Sequence, residues 1–538
     1  MSQDAPQTDK RKNEDVSFNA TDYWVLTATI SASGMAFIMQ SALSPALPAI
    51  QANLAASGVQ LLWVVNAFQL ILSATILMGG SLGDHYGRKR VYMLGIAVFG
   101  LASIACGLAP TTEFLIGARA VQGIGGGLMI PGSLAIISAY FPDSKRGKAI
   151  GTWSSFTTAA SLLAPAVGGF LADVGLWRAN FALVAPFALV SLYALYSHVP
   201  ESRDDESPEG FDVAGTILIA IGLIGINFGL TEFGRTNDFT DTLSWAAIIA
   251  GLIATLAFVY VETHSKHPLV PPHLFKSRTF TGVNMMTLFL YGALAGALTF
   301  LPLNLIQIQG YSATLAGFAV LPVTILIMVM SPWAGGLIDR IGPRLPLIIG
   351  PTIVGFGFAG LALPGVTDGT AQFLYTFLPA LLLVGVGMGV TVAPLTTSAL
   401  GSVPQHNSGV ASSVNNLASR AAGVFAVALM GGIGLVTFTG ALTADVDALS
   451  LPDDARQTII ATSGDLAETT VPDDLSAPQT EAVETTIRWA FVDMFRLLMR
   501  IAAGMCWISA ALAALLVDET LQPPADAPTK AKPDPEQT

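Results

Sequence analysis

The chain has 538 residues, of which 52% are hydrophobic and 12% charged, with a net charge of −12 and a mean hydropathy of +0.61. Soluble proteins carry about twice that share of charge, which excludes a soluble enzyme, and the acidic balance argues against nucleic acid as a partner. Cys106 and Cys506 give neither a metal spacing nor a disulfide framework, and no cofactor is expected.

The first 20 residues are polar and show no cleavable signal peptide, so residues 1–21 read as a cytoplasmic tail. Apolar blocks of about 20 residues follow, the length that crosses a bilayer. Fourteen spans are predicted: 24–48, 61–82, 91–109, 114–139, 148–171, 179–199, 212–233, 243–263, 280–305, 314–334, 345–364, 372–398, 408–438 and 490–517. Barrel strands would be about half as long and would alternate in polarity, so the spans read as helices.

The second and tenth spans each end in the same charged turn. The first copy is Gly80-Ser81-Leu82-Gly83-Asp84-His85-Tyr86-Gly87-Arg88-Lys89, and the second is Gly335-Gly336-Leu337-Ile338-Asp339-Arg340-Ile341-Gly342-Pro343-Arg344. Both follow G-x-L-x-D-x-x-G-x-[KR]. The repeat sets spans 1–6 (residues 22–200) against spans 9–14 (279–520). Spans 7 and 8 become an inserted pair within a linker, 201–278, and residues 521–538 read as a disordered cytoplasmic tail. With the N-terminus inside, 17 of the 25 basic residues fall in inside segments and 6 outside. That asymmetry places both termini in the cytoplasm. Arg119 and Arg420 lie within spans. One outer loop, 440–489, is long and acidic, and reads as a partly helical cap.

The turn itself carries a mechanism. Gly80 would let its helix approach a neighbour closely. Asp84 could face a helix N-terminus or a basic side chain. Gly87 permits the tight turn, and Arg88 would sit at the lipid phosphates. With Asp339, Gly342 and Arg344 in the second copy, these residues read as a latch that breaks when two halves tilt.

The turn GSLGDHYGRKR resembles the signature loop of the major facilitator superfamily, between its second and third helices. Leu115-Ile116-Gly117-Ala118-Arg119-Ala120-Val121-Gln122-Gly123 resembles its fourth-helix motif. Gly151, Pro165, Gly168 and Gly169 resemble the fifth-helix motif of antiporters. Phe275–Phe280 and Gly310-Tyr311-Ser312, with Ala316-Gly317, resemble segments of the branch with fourteen spans. The resemblance covers about residues 22–517. It implies an all-α membrane protein of two pseudo-symmetric six-helix bundles plus two inserted helices, resident in the bacterial inner membrane as a monomer. It also implies proton-coupled efflux of small amphipathic drugs, with Arg119 taking part in coupling and a bent helix 5 as a gate.

One departure matters. Met39 stands where the family motif has an aspartate assigned to proton or cation binding, and no acid lies deep in spans 1, 4, 5, 9, 10 or 13. Uncharged polar groups remain for substrate: Gln40, Ser44, Asn66, Gln69, Gln122, Asn284, Asn304 and Asn415, beside Met39. Each one singly is more often a hydrogen-bonding contact between helices than a contact to substrate. Export of one endogenous metabolite without proton antiport is the alternative reading, and an intramembrane sensor or enzyme the third.

Overall fold

A computed structural model describes residues 18–202, 212–236, 240–265, 268, 270–367, 369–404, 408–449 and 451–520. Residues 1–17, 203–211 and 521–538 and the connector residues Lys266 and His267 lie outside the described residues, whereas Ala20 and Thr21 of the predicted N-terminal tail already belong to the first helix.

Among the described residues the secondary structure is helical, without strands. Thirteen helices are long and apolar enough to cross a membrane, and a bent pair makes a fourteenth span. In chain order they are α1 (Ala20–Ser41, resuming as Ser44–Leu54), α2 (Gly58–Tyr86), α3 (Arg88–Gly107), α4 (Thr112–Tyr140), α5 (Asp143–Asp173), α6 (Ala179–His198) and α7 (Val213–Thr236). The rest are α8 (Thr242–His264), α9 (Arg278–Ile308), α10 (Ala313–Ala319 and Leu321–Ile341), α11 (Arg344–Leu361), α12 (Leu378–Gly401), α13 (Ser408–Asp447) and α14 (Ala477–Leu516).

The breaks have local causes. α1 bends by 43° at a turn carrying Pro45 and Pro48, because proline cannot donate to the helix ladder. α10 is interrupted at Val320, just before Pro322. α9 loosens into a π-turn over Asn304–Ile308, after Pro302.

α1–α6 pack among themselves, as do α9–α14, and α7 lies with α8. The inserted pair is zipped by glycines. A β-carbon at Gly225 would meet the Ala247 carbonyl at 2.8 Å, and one at Gly251 the Ile226 nitrogen at 2.7 Å. α7 also packs on both α2 and α13, so the pair covers one seam between the halves. Successive spans run antiparallel, which brings residues 18 and 520 to one end, here the terminal end.

The long loop is shorter than its composition suggests. α13 continues to Asp447 and α14 begins at Ala477, so helix takes up both flanks of 440–489. A helix (Asp453–Ala461) and a 3-10 turn (Ser463–Glu468) fill much of the remainder.

Candidate functional site: the interface between the two halves

The halves meet at the distal end. Gly169 of α5 has no room for a side chain, since a β-carbon there would lie 2.1 Å from the Ala313 carbonyl of α10. A β-carbon at Gly317 would lie as close to the Pro165 carbonyl, at 2.2 Å. Asp173, at the end of α5, accepts from the Ala313 N–H (2.7 Å) and the Thr314 N–H (2.8 Å), and from the Thr314 hydroxyl. Here the helix-5 residues act across the halves. Gly168 instead serves its own half, where a β-carbon would lie 2.1 Å from the Ala42 carbonyl. Gly151, near the terminal end, is exposed and has nothing within 4 Å of a β-carbon.

A second distal contact closes the other seam. A β-carbon at Gly431 of α13 would meet Leu62 of α2 at 2.5 Å, and one at Gly58 would meet the Gly464 carbonyl at 2.7 Å. Leu466 of the cap covers an apolar cavity between α2, α9 and α13, walled by Leu62, Val65, Phe300 and Leu303. Gln51 holds the cap, donating to the Asp465 carbonyl (3.0 Å) while accepting from Gln307 (3.0 Å). The hydrogen bonds of Gln51, Gln307 and Asp173 thus join the cap and the two halves at this end. Toward the terminal end, α5 exposes Ser154, Ser155 and Phe156.

The two charged turns share a backbone form. Gly87 has φ +108° and Gly342 φ +72°, values that a side chain disfavours. Each turn grips the segment leaving the last helix of its own half. Ser202 accepts from the Arg88 N–H (2.8 Å), and Glu201 accepts from the Lys89 N–H (2.9 Å) and pairs with Arg90 at 3.6 Å. In the other half Arg344 pairs with Glu519 at 3.1 Å and donates to the Ala514 carbonyl. The side chains of Asp84 and Asp339 lie outside the described residues. A β-carbon at Gly80 would make only ordinary contact, 3.8 Å to Pro131; the close approach is at Gly79, where a β-carbon would lie 2.1 Å from the Gly127 carbonyl.

Glu201 and Glu519 were not singled out from the sequence. A signal existed: Val199-Pro200-Glu201-Ser202 and Val517-Asp518-Glu519-Thr520 repeat as V-x-E-[ST] just after the sixth and fourteenth spans. Asp173, Gln51 and Leu466 had no such signal, because each acts on a partner far away in the chain.

Arg119 is 2% exposed. It donates to the Val64 carbonyl (3.1 Å) and to Gln122 (2.6 Å), and its guanidinium lies 4.4 Å from the Phe68 ring centroid. Gln122 passes the chain on to the Ser103 hydroxyl at 2.6 Å. A guanidinium in the bilayer needs such partners, and it finds them without a carboxylate.

The polar residues predicted for a cavity scatter into separate places. Asn415 donates to Asn284 (3.2 Å) and to the Thr287 hydroxyl oxygen (3.0 Å), joining α13 to α9. Asn304 accepts from Gln309 (3.3 Å) near the distal end. Met39 is 2% exposed, within the main core, whereas Gln40 beside it is exposed and Ser44 is half-buried at the α1 break. Asn66 is 1% exposed with both amide atoms unpartnered. Gln69 is half-buried and faces Gly423 of α13.

The sequence description of the Major Facilitator Superfamily matches residues 29–427. The chain belongs to that superfamily. It is an integral membrane transporter and not an enzyme, and its small-molecule substrate crosses a lipid bilayer. Similar superfamily members include the multidrug resistance protein Stp of Mycobacterium tuberculosis, 28% identical over 82% of this chain and 81% of that one. The puromycin resistance protein pur8 of Streptomyces alboniger is 31% identical over 76% and 81%. The multidrug efflux pump LfrA of Mycolicibacterium smegmatis is 31% identical over 79% and 83%. Among solved structures, a bacterial homologue of the lysosomal transporter Spinster, inward-facing and unoccupied, aligns with a TM-score of 0.62. It is 18% identical, over 92% of this chain and 98% of that one, a likeness of fold.

Proposed function

We propose that the protein exports small amphipathic compounds or drugs from a bacterial cell, by alternating access of a site between its two halves. The reading rests on one observation above all. The α5–α10 contact is glycine against backbone, with Asp173 bridging the gap. Such a surface holds few interlocking side chains, so it can part and re-form as a unit. Relatives named for multidrug resistance, puromycin resistance and multidrug efflux favour export. Both termini face the cytoplasm of the plasma membrane in this reading, which the basic residues of the hairpins favour. The protein works as a monomer. The charged turns, including Asp84 and Asp339, act as latches at the cytoplasmic end.

Protons are the coupling ion we favour, with Arg119 in its hydrogen-bonded chain as the coupling candidate. One observation favours a second reading, export without proton antiport. Arg119 is satisfied by Val64, Gln122 and Phe68, and the aspartate position holds buried Met39. Purified protein in liposomes separates the two. Substrate-driven proton movement supports antiport, flux without it supports the second reading, and no flux of any panel compound overturns both.

A further inference from the structure

Two guanidinium groups stand within the spans, Arg119 buried and Arg420 half-buried, and their surroundings differ. Arg119 is fully engaged by its own half. Arg420 of α13 makes no hydrogen bond, ion pair or ring contact with any described residue, and its Nε is buried without a partner. Its depth follows from its neighbours on the same helix. Asn415 bonds to Asn284 and Thr287 of α9, and Gly423 faces Ala295 of α9 and Gln69 of α2. Arg420 therefore stands level with the middle of α9, which runs Arg278–Ile308. A cation at that depth is expensive unless water, a partner or a ligand meets it.

The surface around Arg420 is polar. Asn416 precedes it by one helical turn and is exposed, and Gly423 follows by one turn, so the three share a face. The Gln69 carboxamide oxygen lies 3.7 Å from where a β-carbon of Gly423 would stand. Asn66, one turn along α2 from Gln69, has two unpartnered amide atoms at 1% exposure. Buried amides are ordinarily bonded. Carboxylates do not answer Arg420. Among the described residues the acids of the spans stand toward helix ends, and Asp493 of α14 pairs with Arg496 at 3.4 Å.

We infer that Arg420 anchors the anionic group of an amphipathic substrate, a carboxylate or sulfonate, at the α2–α13 seam. The Gln69 amide stands on the facing helix as a further donor. A guanidinium presents a planar fork of N–H donors that matches an oxyanion. The inference rests on the exporter reading and narrows its substrate class toward anions.

The test uses full-length protein in proteoliposomes, with labelled cholate as the amphipathic anion, below its micellar concentration, and tetraphenylphosphonium as the amphipathic cation. Binding and flux are measured for wild type, Arg420→Gln and Arg420→Lys, each shown folded by its melting curve. Wild type is expected to bind and move cholate. Arg420→Gln is expected to weaken cholate binding by about tenfold or more relative to tetraphenylphosphonium binding, and Arg420→Lys to restore part of the loss. Cholate binding equal in wild type and Arg420→Gln overturns the inference, as does a wild type that binds no cholate. Tetraphenylphosphonium flux without cholate binding overturns the anion site and leaves the exporter standing. Arg420-dependent cholate binding without flux supports the site and counts against export.

Discussion

Asp173 and Thr314 join the two halves of the protein: the Asp173 carboxylate accepts both the backbone N–H (2.8 Å) and the hydroxyl of Thr314, and also takes the N–H of Ala313. Hydrogen bonds to a charged acceptor are worth about 1.5–3 kcal/mol each, so the distal closure leans on this one side chain. Asp173→Ala should favour the distally open state. Labelling of a cysteine placed at buried Leu47 by an impermeant maleimide should rise by about tenfold or more. Unchanged labelling would show that Asp173 does not hold the closure.

Gly169 and Gly317 test the same contact sterically. Their missing β-carbons would lie 2.1 and 2.2 Å from carbonyl oxygens of the other half. Gly317→Val should keep the halves apart at the distal end, at a cost of about 1–3 kcal/mol to the closed state. The expected outcome is normal membrane insertion with transport largely lost. A variant that transports at the wild-type rate would remove this contact from the cycle.

Leu466 offers two effects of opposite sign. It is 8% exposed and has φ +58°, a strained value for leucine that costs about 1–3 kcal/mol. Its burial returns about 1.5–3 kcal/mol. Leu466→Gly relieves the strain and loses the burial, so the thermal midpoint should hardly move. Leu466→Ala keeps the strain, and the midpoint should fall. Both should loosen the cap, read as faster proteolysis within 448–476. Equal melting of the two variants would mean that backbone strain at this position is unimportant.

The latch reading makes a separate claim about the charged turns. Glu201 and Glu519 are solvent-accessible, so each ion pair contributes about 1 kcal/mol or less to stability. Glu201→Ala and Glu519→Ala should therefore fold and insert normally, yet slow transport several-fold, as should Asp84→Asn. Transport at full rate in all three would leave the turns as topology signals only.

Arg119 depends on Gln122. Gln122→Leu removes the acceptor at 2.6 Å and leaves a buried guanidinium short of a partner, which costs about 1–3 kcal/mol or more. Thermal stability should fall even where transport survives. An unshifted melting curve would mean that water replaces Gln122.

The fold was legible because a bilayer leaves few options. Blocks of about 20 apolar residues with little internal charge must be helices, and the paired turns at Asp84 and Asp339 mark the halves. The predicted spans match the helices closely in the first half. They fall short at α13 and α14, whose ends run on into polar solvent-facing turns. Apolar length cannot detect a helix that continues past the membrane. The site was less legible. The fourth-helix motif pointed to Arg119, and Gln122 lies one turn away on the same helix, so their bond follows from spacing. Gln69 and Gly423, one turn from Arg420, meet across a seam from helices whose numbering lies hundreds of positions apart.

Span number, the duplicated turn and the lack of a deep acid are properties of local residue type, and composition and pattern determine them directly. Which end is closed, which glycines bear on carbonyls and which polar groups go unanswered depend on contacts between remote helices. Gly79 and Gly80 are adjacent and alike in sequence. One is pressed against Gly127 and the other touches Pro131 loosely, because only packing decides which face of a helix meets a neighbour.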